Sequence, residues 1–312
     1  MEQDLRIVFM GTPDFAVPTL QALVEHQYKV VAVVTAPDKP AGRGQKLQQS
    51  PVKEYAVSQG IPVLQPTNLK SEAFLEELRS YQANLQIIVA FRMLPEVVWA
   101  MPELGSFNIH ASLLPQYRGA APINWAIING EKETGVTSFF LKHEIDTGDL
   151  IFQERVPILE EDDFGSMYEK LKHLGAELAV RTVQAIERGE VQPQPQQISA
   201  ETKHAPKIFK ETCEIDWNQP ARKVRDFIRG LSPYPAAWTR FDEKTFKLFK
   251  TEILESTAYT LQPGQIKTDN KTYLHVQTAA GVISVLDLQM EGKKRMPIQD
   301  LLRGYTFKTE NA

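Results

Sequence analysis

The first half of the chain alternates between short apolar runs and stretches with helical spacing. Residues 5–10, LRIVFM, form a nearly continuous apolar run that stops at Gly11, the pattern of a strand buried on both faces. In VPTLQALVEH (17–26), Val17, Leu20, Leu23 and Val24 share one face of a helix, and KVVAVVT (29–35) is a second buried strand. A β-α-β opening predicts a parallel sheet with right-handed crossovers. Further helices are predicted at 51–60, with Pro in its first turn and Gly after its end, and at 71–80, with Ser71 as the cap. A strand follows at 85–91, a short helix at 95–101 and a strand at 105–110. Residues 134–141 and 149–158 alternate as strands with one wetter face. Residues 164–189 form a long amphipathic helix in which Gly175 is a candidate break.

The pattern then changes. GEVQPQPQQISAETKHAP (189–206) is rich in Gln and Pro and has no period, which marks an extended connection. Beyond it lies a helix at 220–231 and then short alternating runs (AAWTRF, TFKLFKTEIL, TYLHVQT, GVISVLDLQ), as expected for a small β-barrel or curled sheet. The expected organisation is an α/β domain over 1–189, a linker over 190–208 and a β-rich domain over 209–312.

Composition narrows the possible functions. The 312 residues are 42% hydrophobic and 24% charged, ordinary for a globular protein, and no apolar run approaches the ~20 residues of a membrane span. The start, MEQDLRIVFMG, lacks a basic segment before its apolar one, so no signal peptide is expected. One cysteine, Cys213, allows no intrachain disulfide framework or cysteine-based zinc site and fits a reducing cytoplasm. The formal charge of −4 is unevenly spread: residues 209–312 carry 16 basic and 13 acidic side chains, net +3, against −7 for the rest. A polyanionic partner on the second half is one reading of this asymmetry, and chance is the other.

Ligands of open parallel sheets bind at the carboxyl ends of the strands. Three features fall there. GTPDFA (11–16) is not a dinucleotide fingerprint, yet its Gly allows close backbone approach to a ligand; the alternative is a tight turn with Asp14 as a cap. Asn108 and His110 stand at i and i+2 of one strand and so share a face. A carboxamide donor beside an imidazole suits a carbonyl that becomes an oxyanion, although a buried pair serving loop backbone is also compatible. HEIDTGDLI (143–151) brings Asp146, which could orient His110 and favour its protonation or simply form an Asx turn. No His/Asp/Glu set at metal spacing accompanies His143 and Glu144, so no metal is expected. Ser112 lacks a nucleophile-elbow setting and Cys213 lies far along the chain, so direct transfer of an activated acyl group is favoured over a covalent enzyme intermediate. The loop 36–50 carries Lys39, Arg43 and Lys46 among Gly and Pro, which suits an anionic partner or a solvated loop.

GTPDFA, PDKPAGRGQKL, NIHASLLPQYRGAAPINWAI, ETGVT and DTGDLI, with PKIFKETCEIDW and LSPYPAAWT in the second half, resemble the methionyl-tRNA formyltransferase family nearly end to end. The resemblance implies a Rossmann-like formyltransferase domain that binds 10-formyltetrahydrofolate, the formyl donor, followed by an OB-like barrel that holds initiator methionyl-tRNA. It implies a cytoplasmic enzyme of translation initiation, with no metal and no obligate protein partner. By the same resemblance Asn108, His110 and Asp146 match the catalytic trio, and Ser112, Leu113, Leu114 and Pro115 match the folate signature. Arg43, with Lys46 in the same basic loop, matches the segment that engages the acceptor stem, and Lys207 and Lys210 fall near the tRNA-proximal lysines. Phe91, Arg92 and Leu94 fall at the strand end that holds the pterin. There the sequence departs from the family: AFRMLP (90–95) is one residue shorter than usual, with Arg92 where Gly is usual. Sugar-nucleotide N-formyltransferases, a formylfolate hydrolase domain and a non-catalytic RNA-binding relative are the alternatives, separated by the acceptor each would use.

Overall fold

Strand β1, Arg6–Gly11, buries Ile7, Val8, Phe9 and Met10 completely, and the computed structural model, which describes residues 4–41, 46–255 and 259–308, shows why. β1 lies in the middle of a seven-stranded sheet with β2 (Lys29–Val34), β3 (Val63–Leu64), β4 (Leu85–Val89), β5 (Ser106–His110), β6 (Glu133–Phe140) and β7 (Leu150–Pro157), in the order β7-β6-β5-β4-β1-β2-β3. The pairs β1/β2, β1/β4, β2/β3 and β4/β5 are parallel, and β6 runs antiparallel to β5. A parallel strand covered on both faces has no wet side, hence the unbroken apolar runs; all five residues of β4 are buried. The chain leaves β1 for β2 on one side and returns to β4 on the other. The crevice at the carboxyl ends of β1 and β4 is therefore a topological switch point.

The flanking helices are α1 (Val17–Glu25), α2 (Pro51–Ser58), α3 (Glu72–Ser80), α4 (Glu96–Trp99) and α6 (Phe164–Glu187), whereas α5 (Pro122–Ile128) clusters with the second unit described below. Ser50 caps α2 by accepting the Lys53 N–H at 3.1 Å. Ser71 occupies the cap position of α3, but its hydroxyl makes no capping bond, contrary to the sequence reading. Nor does Gly175 break α6, which runs without interruption for 24 residues. A Cβ at Gly175 would lie 3.1 Å from Cγ2 of Ile109, so this glycine lets the helix pack closely against β5. Within the loop 36–50, Lys39–Ala41 and Lys46–Gln48 pair as antiparallel strands.

The chain divides into two compact units. One comprises Met1–Gly119, Thr134–Val156 and Tyr168–His204; the other comprises Ala120–Glu133, Pro157–Met167 and Ala205–Ala312. The second unit holds β8 (Ala237–Phe241), β9 (Lys244–Leu254), β10 (Ile266–Thr268), β11 (Leu274–Gln277), β12 (Val282–Met290) and β13 (Met296–Pro297), with helices α7 (Ala221–Leu231) and α8 (Ile298–Leu302). The order β8-β9-β12-β11-β10 is antiparallel throughout, with β13 beside β12. The register between β9 and β12 shifts on either side of Lys250, an irregularity of the kind that bends strands, and the sheet curls into an OB-like half-barrel. Its core gathers Phe246, Leu248, Val276 and Ile283 against Ile228 of α7.

Candidate active site

The carboxyl ends of β1, β4 and β5 carry the candidate chemistry. At the end of β1, a Cβ on Gly11 would lie 2.7 Å from Cβ of Ala16 and 3.0 Å from the Val89 carbonyl at the end of β4. Only glycine leaves that crevice open. The following turn is braced by Asp14, whose carboxylate accepts the Tyr168 hydroxyl at 2.6 Å and faces Lys172 at 3.5 Å. Asp14 is therefore tied to α6 by a side chain 154 residues away. Burial, with the Asp14 bond, pushes the Tyr168 hydroxyl well above its ordinary range.

β5 sets the parity of the next two groups. Phe107 and Ile109 point to one face, Asn108 and His110 to the other. Asn108 lies opposite Ile88 of β4 and Phe139 of β6, and His110 lies opposite Thr137. The Asn108 Oδ1 atom is buried and has no hydrogen-bond partner among the described residues. An orphaned buried acceptor is costly, about 1–3 kcal/mol, unless a ligand satisfies it. His110 is 7% exposed. Its Nε2 lies 2.8 Å from the Tyr117 carbonyl, and because a carbonyl can only accept, Nε2 carries the proton in this arrangement. Nδ1 then faces Asp146, 3.7 Å from Oδ2, beyond hydrogen-bond reach, and the two form an ion pair only when the ring takes a second proton on Nδ1.

Asp146 takes the left-handed backbone conformation, φ +55°, and is 9% exposed. Its Oδ2 accepts the Gly119 N–H at 3.0 Å. Ala90 at φ +48° and Tyr117 at φ +60° share that conformation, which costs a non-glycine residue roughly 1–2 kcal/mol. These three lie around one crevice, where the surrounding structure must hold the backbone in that conformation. Next to Gly119, Arg118 donates to Oε1 of Gln196 through Nε at 3.1 Å and Nη2 at 2.5 Å. Burial lowers the proton affinity of Arg118, and the Asp146 and Glu144 carboxylates push it back up.

The loop after β5 is built from hydroxyl and backbone groups. Ser112 is fully buried, donates to the Gln116 carbonyl at 2.6 Å and, through its own carbonyl, accepts the Thr137 hydroxyl at 2.6 Å. Leu114, also buried, donates its N–H to Thr137 Oγ1 at 3.1 Å, and its carbonyl accepts from Gln153 Nε2 at 2.8 Å. The Leu114–Pro115 peptide is cis. Ser112 therefore shapes this loop, its hydroxyl spent internally, while Leu113 and Pro115 are half-buried beside it.

The remaining predicted residues are placed as follows. Leu94 is buried in the apolar cluster with Phe74 and Leu78, and Phe91 packs against that cluster. Arg92 is exposed; its guanidinium lies 5.6 Å from the Phe91 ring centroid and donates to the Thr67 carbonyl at 3.2 Å and to the Pro66 carbonyl. Arg43 lies outside the described residues, and Lys46 is described only as backbone, in its short strand. Lys207 and Lys210 are exposed in the second unit, with Lys207 Nζ 5.4 Å from the Phe209 ring centroid. Among the described residues no group of three or more His, Cys, Asp or Glu side chains could hold a metal ion, and no helix is long and apolar enough to cross a membrane. Sequence reasoning missed Tyr117, Gly119 and Gln196. The first two act through backbone groups, and Gln196 sits in a stretch without periodicity; the DTG turn and the Gln-rich composition were the only signals.

Two family profiles match this chain: one described as formyl transferase over residues 5–183, and one described as formyl transferase, C-terminal domain, over 207–306. Fold and site thus define a formyl transferase with both of that class's parts. Methionyl-tRNA formyltransferase from Bacteroides fragilis is 58% identical over 312 residues, covering 97% of this chain and 96% of its own. The protein of the same name from Porphyromonas gingivalis W83 is 50% identical over 318 residues, covering 99% and 98%. The chain belongs to the methionyl-tRNA formyltransferase family. Among solved structures, the sugar 3N-formyl transferase WlaRD, crystallised with dTDP and 5-N-formyl-THF, superposes with a TM-score of 0.68 at 19% identity, covering 94% of this chain and 100% of its own. HypX from Aquifex aeolicus in complex with tetrahydrofolic acid gives 0.65 at 20% identity, covering 96% of this chain and 47% of its own. At that identity the likeness is one of fold.

Proposed function

We propose that this protein transfers the formyl group of 10-formyltetrahydrofolate to the α-amino group of initiator methionyl-tRNA, in the cytoplasm and without an obligate protein partner. The observation that carries this reading is end-to-end kinship at 50–58% identity, over both compact units, with proteins named for that activity. The donor supplies an activated formyl group, and the residues at the strand ends fit its transfer. An α-amine has a pKa near ~7.7, so a neutral fraction is present at cytoplasmic pH. The Asn108 carboxamide has a donor for the formyl oxygen as charge develops on it. Its orphaned Oδ1 is an acceptor for a hydrogen of the incoming amine. His110, held through Nε2 by the Tyr117 carbonyl, places Nδ1 between that chemistry and Asp146. Asp146, directly or through a water, receives the amine proton, and the same proton is passed to N10 as the N10–formyl bond breaks and tetrahydrofolate leaves. The Ser112–Pro115 loop and the ends of β1 and β4 form the donor's pocket, with Phe91, Arg92 and Leu94 at its strand-end side. The basic segment with Arg43 and Lys46, and Lys207 and Lys210 in the second unit, supply positive charge for tRNA.

Asp146→Asn tests the catalytic assignment, since the amide oxygen can still accept the Gly119 N–H while the charge is gone. The expected outcome is a fall in turnover of about 10²–10⁴-fold, with thermal midpoint and folate affinity close to wild type. Wild-type turnover in the variant would remove Asp146 from the mechanism.

A further inference from the structure

The segment 192–200 is exposed at every position but one, Gln196. Its side chain turns inward, and its hydrogen bonds go to the loop that carries Asp146 and to Arg118 in the loop after β5. Nε2 donates to the Asp146 carbonyl and to the Gly148 carbonyl, each at 2.8 Å. Oε1 accepts the guanidinium of Arg118. A carboxamide has two N–H donors and one oxygen with two lone pairs, and here each is used. The segment is anchored on both sides of this residue. Gln194 pairs its backbone with Leu150, and Lys203 exchanges bonds with the loop after β5, donating its N–H to Gln116 Oε1 at 2.8 Å and accepting the Tyr117 N–H at 2.7 Å.

The two ends of the Asp146 carboxylate contact are thus gripped by one side chain. Gln196 holds the backbone of Asp146 itself, and through Arg118 it holds the backbone next to Gly119, whose N–H binds the carboxylate. The gap from that carboxylate to His110 Nδ1 is 3.7 Å, so a shift of well under an ångström decides whether a protonated Nδ1 can donate to it. Asp146 is left-handed and buried at the end of an exposed stretch, 142–145, and such a conformation persists only where its neighbours fix it.

We infer that Gln196 is a positioning residue of the formyl-transfer site, a clamp in the connecting segment that sets the Asp146 carboxylate against His110. The inference rests on the function proposed above. A stretch whose composition reads as a passive linker thereby holds a positioning side chain.

The test is a double-mutant cycle on the full-length protein, with single-turnover formyl transfer from 10-formyltetrahydrofolate to methionyl-tRNA as the readout. Gln196→Ala is expected to slow transfer about 10- to 100-fold, with the KM for each substrate within about twofold of wild type, and to speed amide exchange in residues 144–148. In the Asp146→Asn background the same substitution is expected to add no further loss, because the residue it acts through is already disabled. Gln196→Glu retains the partner of Arg118 but has no N–H for the two carbonyls, and it is expected to lose rate like the alanine variant. Wild-type rate in Gln196→Ala, an equal loss in both backgrounds, or full rate in Gln196→Glu would overturn the clamp. A wild-type protein that formylates no methionyl-tRNA would overturn the functional reading and the clamp with it. An Asp146→Asn variant of undiminished rate would remove both Asp146 and its clamp while leaving the activity standing.

Discussion

His110 owes its orientation to two elements rather than one. The sequence pairs it with Asp146, but the shorter contact is to the Tyr117 carbonyl, from a left-handed residue in the loop after β5. The carboxylate in turn depends on the turn Asp146–Gly148. A Cβ on Gly148 would fall 1.5 Å from the Phe140 carbonyl oxygen, so any other residue must push the turn away from β6. Gly148→Ala is therefore expected to slow formyl transfer by about 10²-fold while costing about 1–3 kcal/mol of stability, as read by single-turnover kinetics and denaturant melts. A variant with normal turnover would show that the turn's position is immaterial. At this scale part of the candidate site was legible. Strand parity placed Asn108 and His110 together, and a Gly-containing turn flagged Asp146. The backbone groups of Tyr117 and Gly119 were not legible, because every residue has an N–H and a carbonyl and only the fold says which ones converge. Gln196 was hidden for a different reason: an extended segment has no period from which to read an inward side chain.

Among the elements, the parallel strands were the easiest to read, since burial on both faces demands continuous apolar runs. The β-α-β opening, the helix at 221–231 and the alternating strands of the second unit also follow from pattern. The paired strands Lys39–Ala41 and Lys46–Gln48 do not, because Lys, Pro and Gln in place of alternating apolar residues conceal them. Gly175 misleads in the opposite direction, serving close packing where propensity suggests a break. Helix α7 shows what charge does at this scale. Arg222 binds both oxygens of Glu160, at 2.7 and 2.8 Å, and Arg225 adds a bond at 2.9 Å. The Arg222 hydrogen bonds, partly opposed by burial and aided by Lys132 and Arg225, hold the Glu160 carboxyl down from 4.5 to about 2. A depressed carboxylate stabilises the fold above its ordinary value and loses that contribution as pH falls toward the lowered one. Because Glu160 is largely exposed, the contribution is modest, about 1 kcal/mol or less. Glu160→Gln is expected to melt slightly below wild type at pH 7, with the difference shrinking below pH 4.5. A difference that grows in acid would contradict the pairing.

The whole molecule is less linear than its sequence. The sequence reading sets boundaries at 189 and 208, whereas residues 120–133 and 157–167 cluster with the C-terminal half. Hydrophobic pattern reports which residues are buried and not against what, so this interleaving leaves no mark on a single sequence. What did survive at this scale is the pairing of a parallel-sheet unit with a small curled β unit. The account's central claim is that this pairing serves one acceptor, the amine of methionyl-tRNA. Incubation of the full-length protein with 10-formyltetrahydrofolate and, in parallel, charged initiator methionyl-tRNA, charged elongator methionyl-tRNA, an amino-sugar nucleotide or no acceptor tests it most directly. The predicted result is rapid formation of formyl-methionine on the initiator tRNA, with the other arms at least about 10-fold slower. Preferential formylation of the amino sugar, or formate release at the same rate without an acceptor, would contradict it.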